Sequence, residues 1–483
     1  MNWIDRMVEY VSPAAAVRRA YARMSLNMAR SYDAGKVGRR TAGWHATNGS
    51  ANAEIAPQLS RIRARGRDIV RNNEYGRSAI RALVANTIGD GITVKAPDNG
   101  LWEAWCDQCD YDGQLNFNGL LELAVRHRYT DGEVLIRLHH TGLYEGLSVP
   151  LQLQVLEADH LDTSKIGELD NGHFVIAGVE FDRSGRRCAY WLFQTHPGEI
   201  AGMSWKNGMD SIRVAARYIL HYYRKERASQ VRGMSELAVA LMRLRDVADY
   251  EQAELVRKKI EACFAVFIRS DNGGLNVGQQ GKTASGQRTE TLAPGMITRI
   301  DNADAIEFAS PSQSGGYEGY TNTQLHAIAA GMGVMYSQMT GDLSKFNYSS
   351  YRAGLVEFRQ IINAEQWLAL VPMLINPICW AWQKSAILSG ALRGKPSRMS
   401  VTMPKKAWVD PVKDVMAAKE AQRAGMKSVS ESIRELGGDP DAVLAEIIAE
   451  RQQYADAGIL FDSDAAVSER LIKITDVMKT EDS

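Results

Sequence analysis

Residues 337–367 read SQMTGDLSKFNYSSYRAGLVEFRQIINAEQW. A polar loop built on Gly341, Asp342, Asn347 and the paired serines 349 and 350 runs without a break into a helical pattern. The loop holds no histidine, no cysteine and no metal-ligand spacing. Such a loop, held at the mouth of a long helix, suits contact with another molecule better than chemistry upon it.

The helical pattern extends from about Ser350 to Leu388 and contains the apolar run QWLALVPMLINPICWAW, residues 366–382. Its 17 residues carry Asn376 and are interrupted by Pro372 and Pro377. A spanning helix needs about 20 apolar residues, so a buried helix kinked at its prolines is expected. A short strand is expected at 398–403. Beyond Asp410 the chain reads as three or four short acidic helices divided by Gly425, Gly437-Gly438 and Gly458.

On the other side of the loop, residues 317–336 read as a helix. Residues 271–295 are rich in glycine and polar residues without periodicity, which predicts a long loop or a small hairpin. Ser235 is placed to cap a long helix reaching about Ile268. Residues 92–225 alternate as strands in ITVKA, EVLIRLHH, LQLQVLEA, HFVIAGVEF, CAYWLF and IRVAARYILHYY, with one helix near 117–130. This predicts a mostly antiparallel region. Residues 55–87 read as a helix stopped by Gly89-Asp90-Gly91, its arginines 61, 63, 65, 67 and 71 on a solvated face. Residues 1–30 suggest a helical arm and 31–60 an extended connector.

The chain has 57 Lys plus Arg and 57 Asp plus Glu in 483 residues, so tight phosphate binding over most of its surface is not expected. The length suggests about three domains. Charge is uneven: residues 1–80 hold 14 basic and 6 acidic side chains, and 410–483 hold 9 basic and 16 acidic, so the two ends suit different partners. Five cysteines make an odd, sparse set that argues against a disulfide framework. No secretory signal pattern is present in the first 30 residues.

Candidate chemistry is thin. Cys106-Asp-Gln-Cys109 has CxxC spacing but no second ligand pair for zinc. Gly281-Lys282-Thr283 matches the end of a phosphate-binding loop, yet the first glycine of that motif is replaced by Asn276. His139, His140 and His221 read as edge or core histidines. The pairs Asp439/Asp441 and Asp462/Asp464 read as helix caps. With no GxSxG elbow and no HExxH, neither an enzyme, a metal nor a cofactor is expected.

Five stretches together resemble the lambda-type family of tailed-phage portal proteins. They are Arg67–Tyr75 continuing to Val84–Ile92, Asp131–Ile136, Arg227–Gly233, Asn347–Arg352, and Asp410–Lys413 leading into Gly425. They occur in the family's order and span about residues 15–460. The resemblance implies an α+β portal fold: a mixed helix and antiparallel-sheet wing, two stem helices, a clip, a long kinked helix and a helical C-terminal crown. The corresponding boundaries are 1–235 for the arm and wing, 236–268 and 317–336 for the stem helices, and 269–316 for the clip. The tunnel loop is 337–350, the wing spine helix and strand 351–404, and the crown 405–483.

The resemblance further implies a ring, usually of twelve subunits, at one capsid vertex, passing double-stranded DNA without sequence specificity during packaging and ejection. Lys345, Asn347, Tyr348, Ser349 and Ser350 are the expected DNA-facing residues. Gln280, Lys282 and Arg288 are the expected clip residues for partner docking. Implied partners are the terminase large subunit, head-completion or connector proteins, and the major capsid and scaffolding proteins. Assembly is expected in the host cytoplasm, without a membrane. The alternative, motivated by 366–382, is a membrane-associated pore or assembly factor.

Overall fold

The computed structural model describes residues 46–142, 146–199, 210–262, 266–270, 279–282, 288–291, 303–308, 316–344, 346–408 and 410–459, with a few isolated residues before 46. The chain divides into two compact units, Met1–Ser50 and Ala51–Ser483. The expected arm at 1–30 lies almost wholly outside the described residues. The second unit is α+β.

It opens with α1 (Ala51–Ile55), α2 (Leu59–Asn72) and α3 (Glu74–Ile88). The connector expected at 31–60 is therefore helical in its last third. The single helix expected over 55–87 is broken at Asn73. That residue is extended, and its side chain accepts from the Gly76 amide, restarting the helix as its cap. Gly76 is required there, because a Cβ would lie 2.4 Å from the Ile69 side chain. Gly89 ends α3 as expected.

The strand-like region follows: β1 (Thr93–Lys95), α4 (Asn99–Cys106), α5 (Phe117–Asp131), β2 (Glu133–His140), β3 (Leu151–Glu157), β4 (Gly167–Glu168), β5 (Phe174–Ile176), β6 (Val179–Phe181), β7 (Arg187–Phe193), β8 (Ser211–Ala215) and β9 (Ile219–Tyr223). Helix α4 was not anticipated. Asp98 caps it, and Trp102 and Trp105, one turn apart, are buried. The strands form two antiparallel sheets, β3-β2-β9 and β4-β5-β6-β7-β8. HFVIAGVEF is two strands joined at Ala177-Gly178, both with positive φ, the geometry of a two-residue hairpin turn.

Ser235 caps a short 3₁₀ turn, Glu236–Val239, and α6 (Leu241–Ala262) follows. The helix does not reach Ile268. Val266-Phe267-Ile268 is a β-branched and aromatic run that enters β10 (Val266–Ser270) instead. Next come β11 (Gln279–Lys282), β12 (Arg288–Thr291) and β13 (Ala303–Phe308), with β10 pairing β13 and the β11–β12 hairpin between them in sequence. Of the long loop or small hairpin expected for 271–295, the β11–β12 hairpin is present.

Helix α7 (Tyr317–Met332) ends at left-handed Gly333, and α8 (Tyr336–Thr340) follows. The long helix begins at Tyr348. It runs as α9 (Tyr348–Glu365), a π-helical stretch Gln366–Ile375, and α10 (Asn376–Leu388). Pro372 lies inside the π-helical stretch, where its missing N–H disturbs an α-helical ladder least. The run 366–382 is buried through Leu370, Leu374, Ile375, Ile378 and Trp382. Among the described residues no helix is long and apolar enough to cross a membrane. Strand β14 (Ser400–Thr402) pairs with β1. The tail holds α11 (Pro411–Arg423), α12 (Val429–Glu435) and α13 (Pro440–Asp456).

One core joins the α2–α5 region to the long helix. Trp102, Trp105, Phe117 and Trp382 form its aromatic centre, their ring centroids 5.0–6.5 Å apart. A smaller core, with Leu135, Val179, Tyr190 and Leu192, underlies the five-stranded sheet.

Candidate functional site

The loop that opened the sequence analysis is narrower than its pattern suggested. Helices α8 and α9 take its two ends, leaving residues 341–344 and 346–347 irregular. Gly341 closes α8 in a left-handed conformation, φ 75°. The Asp342 carboxylate accepts from the Ser344 amide at 2.9 Å and its hydroxyl at 2.6 Å, forming a local turn. Asn347 caps α9: its side chain accepts from the Ser350 amide at 2.8 Å and hydroxyl at 2.9 Å.

The expected DNA-facing residues are thus differently placed. Asn347 and Ser350 bond each other, so both side chains are engaged in starting the helix. Tyr348 and Ser349 are exposed in its first turn, and Leu343 is exposed in the loop itself. Lys345 lies outside the described residues. Arg352, one turn further along, reaches α11 through a 2.8 Å ion pair with Asp414. The clip residues Gln280 and Lys282 lie on β11 and Arg288 on β12, with Lys282 opposite Arg288 in the register.

The structure also holds a buried ion-pair frame that sequence reasoning did not find. Glu133, at the start of β2, is the hub, and its carboxylate is fully enclosed. Arg232 donates to it at 2.5 and 2.9 Å, Arg63 at 2.9 Å, and the Gly233 amide at 2.9 Å. His221 completes the set through Nε2 at 3.0 Å. Burial alone would raise the Glu133 carboxyl, but Arg232 and the His221 hydrogen bond hold it well below the usual carboxylate range. Burial pushes His221 down to about 4, against the pull of Glu133. The imidazole is therefore neutral. It donates from Nε2 to Glu133 and accepts at Nδ1 from Arg187, 3.2 Å away.

Two further clamps extend the frame. Arg67 grips Asp131 with two bonds of 2.8 Å and reaches Asp159 at 2.6 Å. Arg128, completely buried, pairs with Glu236 at 3.1 Å and Glu365 at 3.3 Å, and Tyr222 donates to Glu365 at 2.6 Å. The second clamp ties α5 to the end of α9, the helix that starts at the loop.

The frame corrects the solvated-face reading at two of the five α2 arginines, Arg63, which is buried, and Arg67, which is largely engaged; Arg61, Arg65 and Arg71 are exposed as expected. It also explains three of the stretches that carry the family resemblance. Arg67, Asp131-Gly132-Glu133 and Arg232-Gly233 come from separate parts of the chain and meet here. The glycines let backbones touch: a Cβ on Gly233 would sit 2.1 Å from the Gly132 carbonyl oxygen. The only local hint was a glutamate opening a strand whose next three residues, Val134, Leu135 and Ile136, are apolar and buried.

Other polar clusters are likewise occupied by structure. Among the described residues two groups lie close enough to share a cation, and Glu180 in His173–Glu180–Cys188 is held by Arg213 at 2.8 and 2.9 Å. Asp159 in Glu157–Asp159–His196 is held by Arg63 and Arg67. Arginine already supplies the positive charge in both. Burial pushes the Cys109 thiol up to about 12, which makes it a poor thiolate ligand. Gly281 and Lys282 lie in β11 within a hairpin, not between a strand and a helix, so the phosphate-loop context is missing. Asp439 caps α13 as expected. Asp462 and Asp464 lie outside the described residues.

Arginine clamps bind segments far apart in sequence into one core. The chain belongs to the phage portal proteins: the family model described as "Phage portal protein, lambda family" matches residues 37–366. A probable portal protein of Halomonas phage phiHAP-1 is 25% identical over 469 residues, covering 91% of this chain and 89% of that one. Portal protein B of Escherichia phage lambda is 19% identical, covering 86% and 88%. A solved chain titled "Neck of native GTA particle computed with C12 symmetry" aligns with a TM-score of 0.43 at 17% identity, covering 77% of this chain and 93% of that one. Phage portal proteins are structural components of the virion at the capsid.

Proposed function

We propose that this chain forms a closed ring, of about twelve copies, at one capsid vertex, and that double-stranded DNA passes through its channel during packaging and ejection. The body plan is that of the resemblance, with 1–235 as arm and wing, 236–268 and 317–336 as stem, 269–316 as clip and 405–483 as crown. The terminase large subunit and head-completion proteins dock at the clip, near Gln280, Lys282 and Arg288. The major capsid and scaffolding proteins contact the outer parts. Assembly takes place in the host cytoplasm.

Membership of the portal family carries this reading, and the loop supports the conduit. A channel that lets DNA slide must not hold it, and affinity rises with each phosphate neutralised. Lys345 is the one cation between Gly341 and Ser350, and Asp342 opposes it. The hydroxyls of Tyr348 and Ser349, exposed in the first turn of α9, suit weak phosphate contacts that carry no sequence information. Asn347 and Ser350 hold the helix start that presents them. Replacing 341–347 with a shorter linker tests this: rings should still assemble while DNA packaging or retention falls. Normal packaging would overturn the conduit role of the loop.

A further inference from the structure

The C-terminal helices are unfinished as a packing unit. No residue of α11, α12 or α13 is buried. Yet α13 carries Leu444, Ile447 and Ile448 at the spacing of one helical face, each 42% exposed or more. Helices of this length owe most of their stability to a packed apolar face, and this face has no cover within the described chain.

The complement lies in the same region. A groove of about 1040 Å³ runs between α9, the segment after β14, and helices α11 and α12. Val356, Trp367 and Trp408 give it an apolar wall and are 43–52% exposed. Its rim is cationic, with five basic side chains against three acidic ones, a net of +2. Helix α13 holds four acidic side chains and one basic, a net of −3. Arg359 and Lys406 face each other's charge on the rim. Burial lowers both, and Arg359 lowers Lys406 further, so an added carboxylate is favoured there. No residue of α13 lines the groove. One chain can therefore offer its helix to one neighbour and its groove to another, the arrangement that a head-to-tail ring requires.

We infer that α13 of one copy docks, through Leu444, Ile447 and Ile448, into the groove of the next copy between α9 and α11–α12, and that the C-terminal layer completes its core only in the assembled ring. This rests on the ring proposed above. The test mixes two full-length chains, Val356→Cys and Ile448→Cys, and treats the assembled material with a short bismaleimide. The expected result is a cross-linked pair of chains, absent from unmodified protein, whose peptides join positions 356 and 448. Rings lacking that link overturn this inference alone. Monomers at every concentration overturn the ring reading together with it.

Discussion

Glu133 and Arg232, 99 positions apart in sequence, meet in a buried ion pair at 2.5 Å. The same arginine donates to the Ala177 carbonyl oxygen at 2.7 Å. One guanidinium therefore joins the start of β2, the β5–β6 turn and the segment that leads toward α6. Breaking such a pair strands a charge in a dry interior, which costs far more than the pair itself contributes.

Glu133→Ala leaves Arg63 and Arg232 facing each other without their carboxylate. It should destabilise the fold by about 3–5 kcal/mol, read as a lower denaturant midpoint. An isolated, exposed pair such as Arg245–Asp249 should change stability by less than about 1 kcal/mol when broken.

Acid should weaken the fold in a window that belongs partly to His221. Its folded value of about 4 lies below the ordinary 6.5, so between these limits the unfolded chain binds more protons than the folded one. Stability therefore falls as pH drops from 6.5 toward 4, by the order of 3 kcal/mol for this group. Glu133, held low, keeps its contribution above 4.5 and loses it only at stronger acid. His221→Gln, which keeps a donor to Glu133, should flatten the slope between pH 6.5 and 4.5 in thermal unfolding. An unchanged slope would contradict the neutral imidazole.

Gly233→Ala should be worse than its size suggests, because the added Cβ meets Gly132 backbone at 2.1 Å and no side chain can move aside. A loss of about 3 kcal/mol or more is expected in chemical unfolding. Ala177→Gly should act the other way. Ala177 is the one non-glycine residue with positive φ among those described, at 47°. Relief of that strain should add about 0.5–1 kcal/mol.

Asn347→Ala should cost about 1 kcal/mol as a lost helix cap. Asn347→Ser keeps a capping oxygen and should restore most of it. If Tyr348 and Ser349 meet DNA, Tyr348→Ala/Ser349→Ala should lower packaging more than Asn347→Ser does, at equal ring yield.

Much of the fold was legible because its signals are local. The Gly89 stop, the cap at Asp439, the alternating strands and the end of the long helix at Leu388 each follow from a few neighbouring residues. The break at Asn73 was obscured because apolar spacing continues through it. Helix α4 was hidden among strand-like runs although Asp98 announces it. The ion-pair frame left no more than the hint of Glu133 at the start of β2. Arg63, Glu133, His221 and Arg232 belong to four separate segments, and charge pairing across such distances leaves no periodicity. For the loop, composition exposed its polar character, but not that Asn347 and Ser350 are spent on each other.

The ring is the claim on which the rest depends, and negative-stain imaging of the purified full-length protein at micromolar concentration tests it most directly. Rings of about twelve subunits around an open centre, near 640 kDa for chains of 53.5 kDa, are the predicted result. A uniform population of monomers would contradict it.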